Sequence, residues 1–370
     1  MSKRLTVFLP ALYSGGAERT MLNLANGMAE RDIQVDLVLS QAEGPYLCQI
    51  SPKVNLVDLS KGQVVQASRT LSRLPALVRY LRQTQPDAML SALSRANLVA
   101  VVARALARTP RRLVVNIQNT VSQDAPNSPA RLGRLAPTLS KYIYRKADAV
   151  IGVSQGVVDD LVQGVGVPAK LAKVIYNPVI TPELRQKAKQ PLEHPWFKAG
   201  EPPVILAVGR LMMQKDYPTL FQAFAQLRQT QPARLLILGE GPERAQLESL
   251  THQLGIADHV SMPGFVQNPY PYIVNASTFV LSSRWEGLPT VLIEALYCGV
   301  PIVSTDCPSG PREILHNGKI GRLVPVGDAP KLAEALGAAL RGEVARPTSD
   351  SWLPYDVDQV LNSYSELLFN

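Results

Sequence analysis

Short apolar runs recur along the chain, each followed by turn-forming residues and then by a stretch of helical length. "LTVFLPAL" leads through "YSGG" into an apolar-periodic run over 17–30 and then "QVDLVLS". That order predicts a strand, a helix and a second strand parallel to the first. "DAMLSAL", "RRLVVNI" and "DAVIGVS" continue the alternation. These runs are apolar at nearly every position, as strands covered on both faces must be. Segment 177–203, rich in proline and charge, holds no sustained period and reads as a linker. The alternation then restarts with "VILAVGR", a helix over 217–230, "RLLILGEG", a helix over 242–254, "HVSMPGF" and "TFVLSS". A helix from Pro289 to Cys298, "PIVSTD" and "GRLVPV" follow, then helices near 329–340 and in "DVDQVLNSYSELL". The pattern predicts an α/β protein with two parallel-sheet domains, 1–185 and 186–354.

The length of 370 residues suits two cores better than one. Apolar content of 46% describes an ordinary globular chain. The longest apolar window, "ANLVAVVARALA", carries Arg104 and is too short to span a membrane. "MSKRLTVFLPAL" lacks a small-x-small cleavage site and reads as a first strand rather than a signal peptide. Cys48, Cys298 and Cys307 have no pair spacing, which argues for a reduced, cytoplasmic compartment and against a disulfide framework or a zinc site.

Charge is unevenly placed. Residues 1–190 hold 25 Lys/Arg against 12 Asp/Glu, while 191–370 hold 13 against 18, within a net charge of +8. The basic half is expected to face an anionic partner: a phospholipid surface, a phosphorylated substrate or nucleic acid. With aromatics at 6% and no interleaving of basic and aromatic residues, nucleic acid is not expected. "RTLSRLPALVRYLRQTQ" and "SPARLGRLAPTLSKYIYRKAD" place cations among apolar residues at helical spacing. They fit helices lying on an anionic membrane, or equally core-packed helices with a solvated basic face.

Ligands of open parallel sheets bind outside the carboxyl ends of the strands, so the informative residues should follow strands. After the first strand, "SGGAE" places Gly15 and Gly16 directly before a helix. Their backbone amides can approach a phosphate at the positive end of that helix, or the pair is simply a turn that needs positive φ. In the second half, "VGRLMMQKD" sets Arg210 and Lys215 after a strand, where two cations suit a diphosphate. "SSRWEGLPTVLIEAL" keeps Glu286 and Glu294 eight positions apart in an otherwise apolar run. Glu286 lies before a helix that Pro289 opens, facing its positive end, where the amides of Leu288 and Thr290 are also free. Glu294 lies about a turn and a half further along. The two acids are therefore separate hydrogen-bond acceptors rather than a close dyad, as a ligand with hydroxyls at both ends and an anionic middle requires. A sugar nucleotide is such a ligand.

Taken together, "SGGAE", "GRLMMQKD", "LGEGPE", Gly264-Phe265, "SSRWEGLPTVLIEAL", "GVPIVSTD", "GPREIL" and "GRLVP" resemble the retaining GT-B enzymes of glycosyltransferase family 4. The resemblance is greatest to bacterial enzymes that extend lipid-linked surface glycans, lipopolysaccharide or capsule. It implies two Rossmann-like domains facing across a cleft, with the terminal helix 355–370 crossing back to the first. It also implies a nucleotide-sugar donor, UDP-linked, with no metal and no other cofactor. Arg210 and Lys215 match the diphosphate-binding pair, Glu286 the acid that meets donor-sugar hydroxyls, and Glu294 the acid that takes the ribose. Gly287, Leu288 and Thr290 belong to the same donor loop. Gly15 and Gly16 match the loop closing on the phosphates, and Phe265 and Val266 the wall that holds the base. The expected acceptor is a growing lipid-linked glycan, and the expected location is cytoplasmic, peripheral on the inner membrane. One position departs from the family: "VVNIQNTVS" offers Gln118 where members usually carry His. Gln can hydrogen-bond but cannot titrate near neutral pH. The alternatives are thus an impaired glycosyltransferase-like partner subunit, or another GT-B enzyme such as a nucleotide-sugar epimerase.

Overall fold

The computed structural model describes residues 3–13, 15–60, 69–124 and 136–370. The chain divides into two compact units, Met1–Pro178 with Tyr355–Asn370, and Val179–Pro354.

The first unit is built on seven parallel strands: β1 Arg4–Leu9, β2 Gln34–Leu39, β3 Val54–Asp58, β4 Ala88–Ala92, β5 Arg112–Ile117, β6 Ala149–Gly152 and β7 Ala172–Val174. Their order is β3-β2-β1-β4-β5-β6-β7. β1 is central, with Val7 between Leu37 of β2 and Leu90 of β4. The order reverses between β1 and β4, the switch point at which an open parallel sheet leaves a crevice beyond its carboxyl edge.

The terminal helix Val357–Phe369 packs into this unit's core through Val360, Leu361, Tyr364, Leu367 and Leu368. Gly27 makes the approach possible, because a Cβ there would lie 2.5 Å from Leu361 Cδ1. Arg31 pins the same helix at Asp358 and Asn362.

The second unit has six parallel strands: β8 Val204–Val208, β9 Arg234–Leu238, β10 Val260–Gly264, β11 Thr278–Leu281, β12 Ile302–Thr305 and β13 Arg322–Val324. Their order is β10-β9-β8-β11-β12-β13, so the reversal falls between β8 and β11. The helices Tyr217–Arg228 and Ala329–Leu340 bury Leu220, Phe224, Leu332 and Leu336 in its core.

Two strands go beyond the apolar pattern. β3 and β7 are the outer strands of their sheet, and they are mostly exposed or half-buried, so they carry no continuous apolar signal. Segment 177–203 is not a free linker. Asn177 is buried in the first unit, and the chain passes to the second before, not after, the short helix Pro182–Lys187. Asn268 Nδ2 holds that stretch by donating to Lys187 O at 3.2 Å and to Gln190 Oε1 at 2.7 Å. Further along, the His194 ring meets Trp196, Phe197 and Tyr272 edge-on, and Arg234 lies over Trp196. Among the described residues no helix is long and apolar enough to cross a membrane. Residues 128–135 of the second basic segment lie outside the described residues.

Candidate active site

In the second unit β8 and β11 run side by side, with Ile205 opposite Thr278, so the loops leaving their carboxyl ends must meet. They are stitched together by backbone-directed bonds. Arg284 N donates to Gln214 O at 2.8 Å, Gln214 Nε2 to Trp285 O at 2.9 Å, and Ser282 Oγ to Lys215 O at 2.6 Å. Buried Asp216 accepts from Arg284 at 3.0 Å and from Thr219 Oγ1 at 2.8 Å.

Within this frame Lys215 Nζ meets Glu286 Oε1 at 2.6 Å, and Ser283 Oγ donates to the same oxygen at 2.6 Å. Glu286 is buried, and both of its recorded side-chain bonds fall on Oε1; Oε2 accepts none among the described residues. One oxygen is therefore anchored and the other is open to a hydroxyl. The sequence pattern puts Lys215 with Arg210 as a pair of cations; the structure pairs Lys215 with Glu286 instead. Arg210 is exposed and holds no ion pair among the described residues.

Pro289 is the residue before the helix, with ψ 95°, and the helix starts one position later than expected, at Thr290. Of its first-turn amides, Leu292 N donates to Pro289 O at 3.0 Å, while those of Thr290 and Val291 precede the helical ladder. The preceding turn is braced from β12: Glu286 N donates to Pro308 O at 3.2 Å, and Ser309 Oγ to Gly287 O at 2.8 Å. Gly310 closes the brace at φ 93°, where a side chain would overlap Pro289. Gly287 and Leu288 are both buried within this turn. Glu294 is half-buried in the helix, one turn before Cys298. Burial, reinforced by the Glu294 charge, pushes the Cys298 thiol up to about 12. Burial and Glu286 do the same to Cys307, also to about 12. At the end of β10, Gly264 turns at φ 97° into Phe265, which is 67% exposed, and Val266, half-buried. An aromatic left that open is a flat surface without a protein neighbour to cover it.

In the first unit Gly15 precedes the helix Gly16–Ala29 with φ −94°, and Gly16 is its first residue. Neither needs left-handed backbone, so the positive-φ reading of the pair does not hold. Instead an added Cβ at Gly15 would overlap the Glu18 carboxylate, and one at Gly16 would meet open space. Gln118 follows β5. Its Nε2 donates to Asn116 Oδ1 at 2.6 Å and to Asn177 Oδ1 at 3.3 Å, while its Oε1 accepts from Asn177 Nδ2 at 3.0 Å.

Two family models cover these two units: Glycosyltransferase Family 4 matches residues 14–182, and Glycosyl transferases group 1 matches residues 189–352. The chain belongs to the family 4 glycosyltransferases. A relative from Campylobacter jejuni, N-acetylgalactosamine-N,N'-diacetylbacillosaminyl-diphospho-undecaprenol 4-alpha-N-acetylgalactosaminyltransferase, is 30% identical over 93% of this chain and 92% of its own. The lipopolysaccharide core biosynthesis glycosyltransferase LpsE of Rhizobium meliloti is 27% identical over 87% and 84%. Anabaena HepE, solved in complex with UDP-glucose, superposes with a TM-score of 0.78 at 21% identity, covering 98% of each chain. The lipopolysaccharide outer core galactosyltransferase WaaB gives 0.74 at 20%, over 99% and 98%. The glycosyltransferase thus has the GT-B fold of two Rossmann-like parallel-sheet domains.

Sequence reasoning missed Ser283, Asp216, Asn116 and Asn177. A buried Ser or Asn carries no pattern of its own. Gly310 was findable, since a Gly-Pro step after a strand marks a special turn.

Proposed function

We propose that this glycosyltransferase takes its sugar from a UDP-linked donor and adds it to a lipid-linked surface glycan, with retention of anomeric configuration and without a metal. The observation that carries the donor assignment is Glu286, buried at the β8/β11 switch point with one oxygen anchored by Lys215 and Ser283 and the other open. That oxygen suits a sugar hydroxyl. Arg210, without an ion pair among the described residues, and the first-turn amides at Thr290 supply positive potential for a departing diphosphate, a site built on electrostatic stabilisation rather than on a protein nucleophile. Lys215 has two further N–H groups beyond the one given to Glu286. Phe265 with Val266 offers a face for the base, and Glu294 an acceptor for the ribose. Gly15 and Gly16 keep their role as amide donors toward phosphate.

The lipid-linked acceptor is carried over from the Campylobacter relative, whose substrate is an undecaprenol diphosphate. It agrees with the basic first unit. Arg82 donates to Leu106 O, which sets a cation beside the exposed Leu106 side chain, while Arg104 is spent on Asp148 and on the carbonyls of Arg111 and Lys146. Such a surface suits the cytoplasmic face of an anionic membrane, each cation adding about 1 kcal/mol.

The test is a thermal-shift panel with UDP, GDP, ADP and CMP, followed by transfer from UDP-sugars to an undecaprenyl-diphosphate oligosaccharide, with EDTA and with the anomeric configuration read by NMR. A nucleotide at about 100 times its dissociation constant adds about 2.7 kcal/mol of stability. Stabilisation by UDP alone, lost in Glu294→Ala, with EDTA-insensitive transfer and a retained anomer, is the expected result. Stabilisation by none of the four would refute the donor assignment, and an inverted product the retention.

A further inference from the structure

Gln118 stands where the family resemblance leads one to expect His, and its surroundings are matched to a carboxamide. A carboxamide carries two N–H donors and an oxygen with two lone pairs. Here both donors are spent, on Asn116 Oδ1 and Asn177 Oδ1, and one lone pair is taken by Asn177 Nδ2. What remains on this half-buried side chain is one lone pair. Asn116 is itself held from behind. Asn116 Nδ2 donates at 2.6 Å to the hydroxyl of Tyr364, fully buried on the terminal helix. Asn97 Nδ2 donates to Asn116 O at 3.0 Å, and Ser91 Oγ donates to Asn97 Oδ1 at 2.7 Å. Asn116, Asn97 and Ser91 are fully buried, and Asn177 nearly so. Turning Gln118 over would face like atoms toward each other unless Asn116 and Asn177 turned with it. An imidazole at 118 could not reproduce the two-way bond with Asn177.

We propose that Asn116, Asn177 and Tyr364 are positioning residues that hold Gln118 as a hydrogen-bond acceptor only, so that the sugar substrate meets position 118 with a hydroxyl that donates. The inference rests on the sugar-nucleotide reading of the proposed function, and on position 118 meeting the sugar as the family resemblance implies. It adds the polarity of that contact and the residues that set it. The terminal helix, distant in sequence, then acts on substrate recognition through Tyr364.

The experiment is a double-mutant cycle between Gln118→Ala and Tyr364→Phe. It is read as kcat/KM for turnover of whichever of UDP-galactose, UDP-glucose and UDP-N-acetylgalactosamine reacts fastest, and of its C3, C4 and C6 deoxy and deoxyfluoro derivatives. Gln118→Ala is expected to lower kcat/KM about tenfold, the loss of one substrate hydrogen bond. Tyr364→Phe should lower it about threefold in the native background and not at all in the Gln118→Ala background, because it acts only through Gln118. One deoxyfluoro donor should lose as much as its deoxy counterpart, since fluorine cannot donate, and neither should lose anything in Gln118→Ala. Equal losses from Tyr364→Phe in both backgrounds, matched by a fall in Tm, would mean a purely structural tyrosine and overturn the relay. A fluoro donor tolerated where the deoxy donor is not would overturn the polarity. Unchanged turnover in Gln118→Ala overturns the substrate contact itself, a failure distinct from the other two. Asn177→Ser repeats the cycle from the other side should Tyr364→Phe fail to fold.

Discussion

Removing one partner of the Lys215–Glu286 pair tests the centre of the site most directly. The two groups are 2.6 Å apart, with side chains 15% and 8% exposed. At an effective dielectric of 20 their gross attraction is about 6 kcal/mol, most of which offsets the cost of taking two charges out of water. The net value of the pair is therefore small, but breaking it leaves one uncompensated buried charge, which costs about 3–5 kcal/mol. Lys215→Met keeps the unbranched shape of the side chain, one atom shorter, and removes its charge and its N–H donors. The loops should stay joined in this variant, because the Arg284–Gln214, Gln214–Trp285 and Ser282–Lys215 bonds use backbone atoms that the substitution does not alter. All three tryptophans, Trp196, Trp285 and Trp352, lie in the second unit, so urea unfolding followed by their fluorescence reports on that unit alone. Lys215→Met should lose about 3–5 kcal/mol. Lys215→Met with Glu286→Gln should lose less than the two single losses together, with a coupling of about 2 kcal/mol or more. Transfer should be lost in Lys215→Met, Glu286→Gln and the double variant, because the first removes the cation that anchors Glu286 and the other two lack its carboxylate. Additive losses, or a Lys215→Met protein within about 1 kcal/mol of native, would refute the buried-pair reasoning. Near-normal transfer in Glu286→Gln would refute its role with the sugar.

Phe265→Ala should weaken UDP binding about tenfold by calorimetry while leaving Tm unchanged, because an exposed ring contributes to stability within about 0.5 kcal/mol. Burial, and secondarily Arg234, lowers the pKa of His194; burial and then Arg228 lower that of His259. The unfolded chain therefore takes up these protons first, so stability is complete above the ordinary histidine value of about 6.5 and is lost as pH falls below it. The decline between pH 7.5 and 5.5 should flatten in His194→Asn/His259→Gln, and an unchanged decline would assign it elsewhere. With Cys298 and Cys307 both held as thiols to about 12, native protein at pH 8 should react with one equivalent of a thiol reagent, at exposed Cys48, and with three after unfolding.

The strands buried on both faces were legible because a continuous apolar run needs no tertiary information to be recognised. β3 and β7 were not, because an outer strand satisfies its ladder on one side only and owes little to apolar burial. Glu286, Glu294, Arg210 and Lys215 stood out as charges following apolar strands. Their pairing did not, since whether a lysine serves a ligand or a neighbouring carboxylate depends on which two loops meet, and that is fixed by the order β8-β11 rather than by spacing. Asn177 shows the same limit from the other side: in sequence it opens a proline-rich stretch, and in space it completes the hydrogen bonding of Gln118. Both units place most of their candidate site residues where the strand order reverses or one strand beyond it, on loops that follow β8 and β11 in one and β1 and β5 in the other; Phe265 and Val266, after the edge strand β10, are the exception. A parallel sheet concentrates free loop ends at that edge without asking anything of the side chains. The sequence then needs only a few buried polar residues, Ser283 under Glu286 and Asn116 with Asn177 around Gln118, to decide which atom of each functional group faces outward. Substitutions of those supporting residues should therefore change substrate preference before they change the fold.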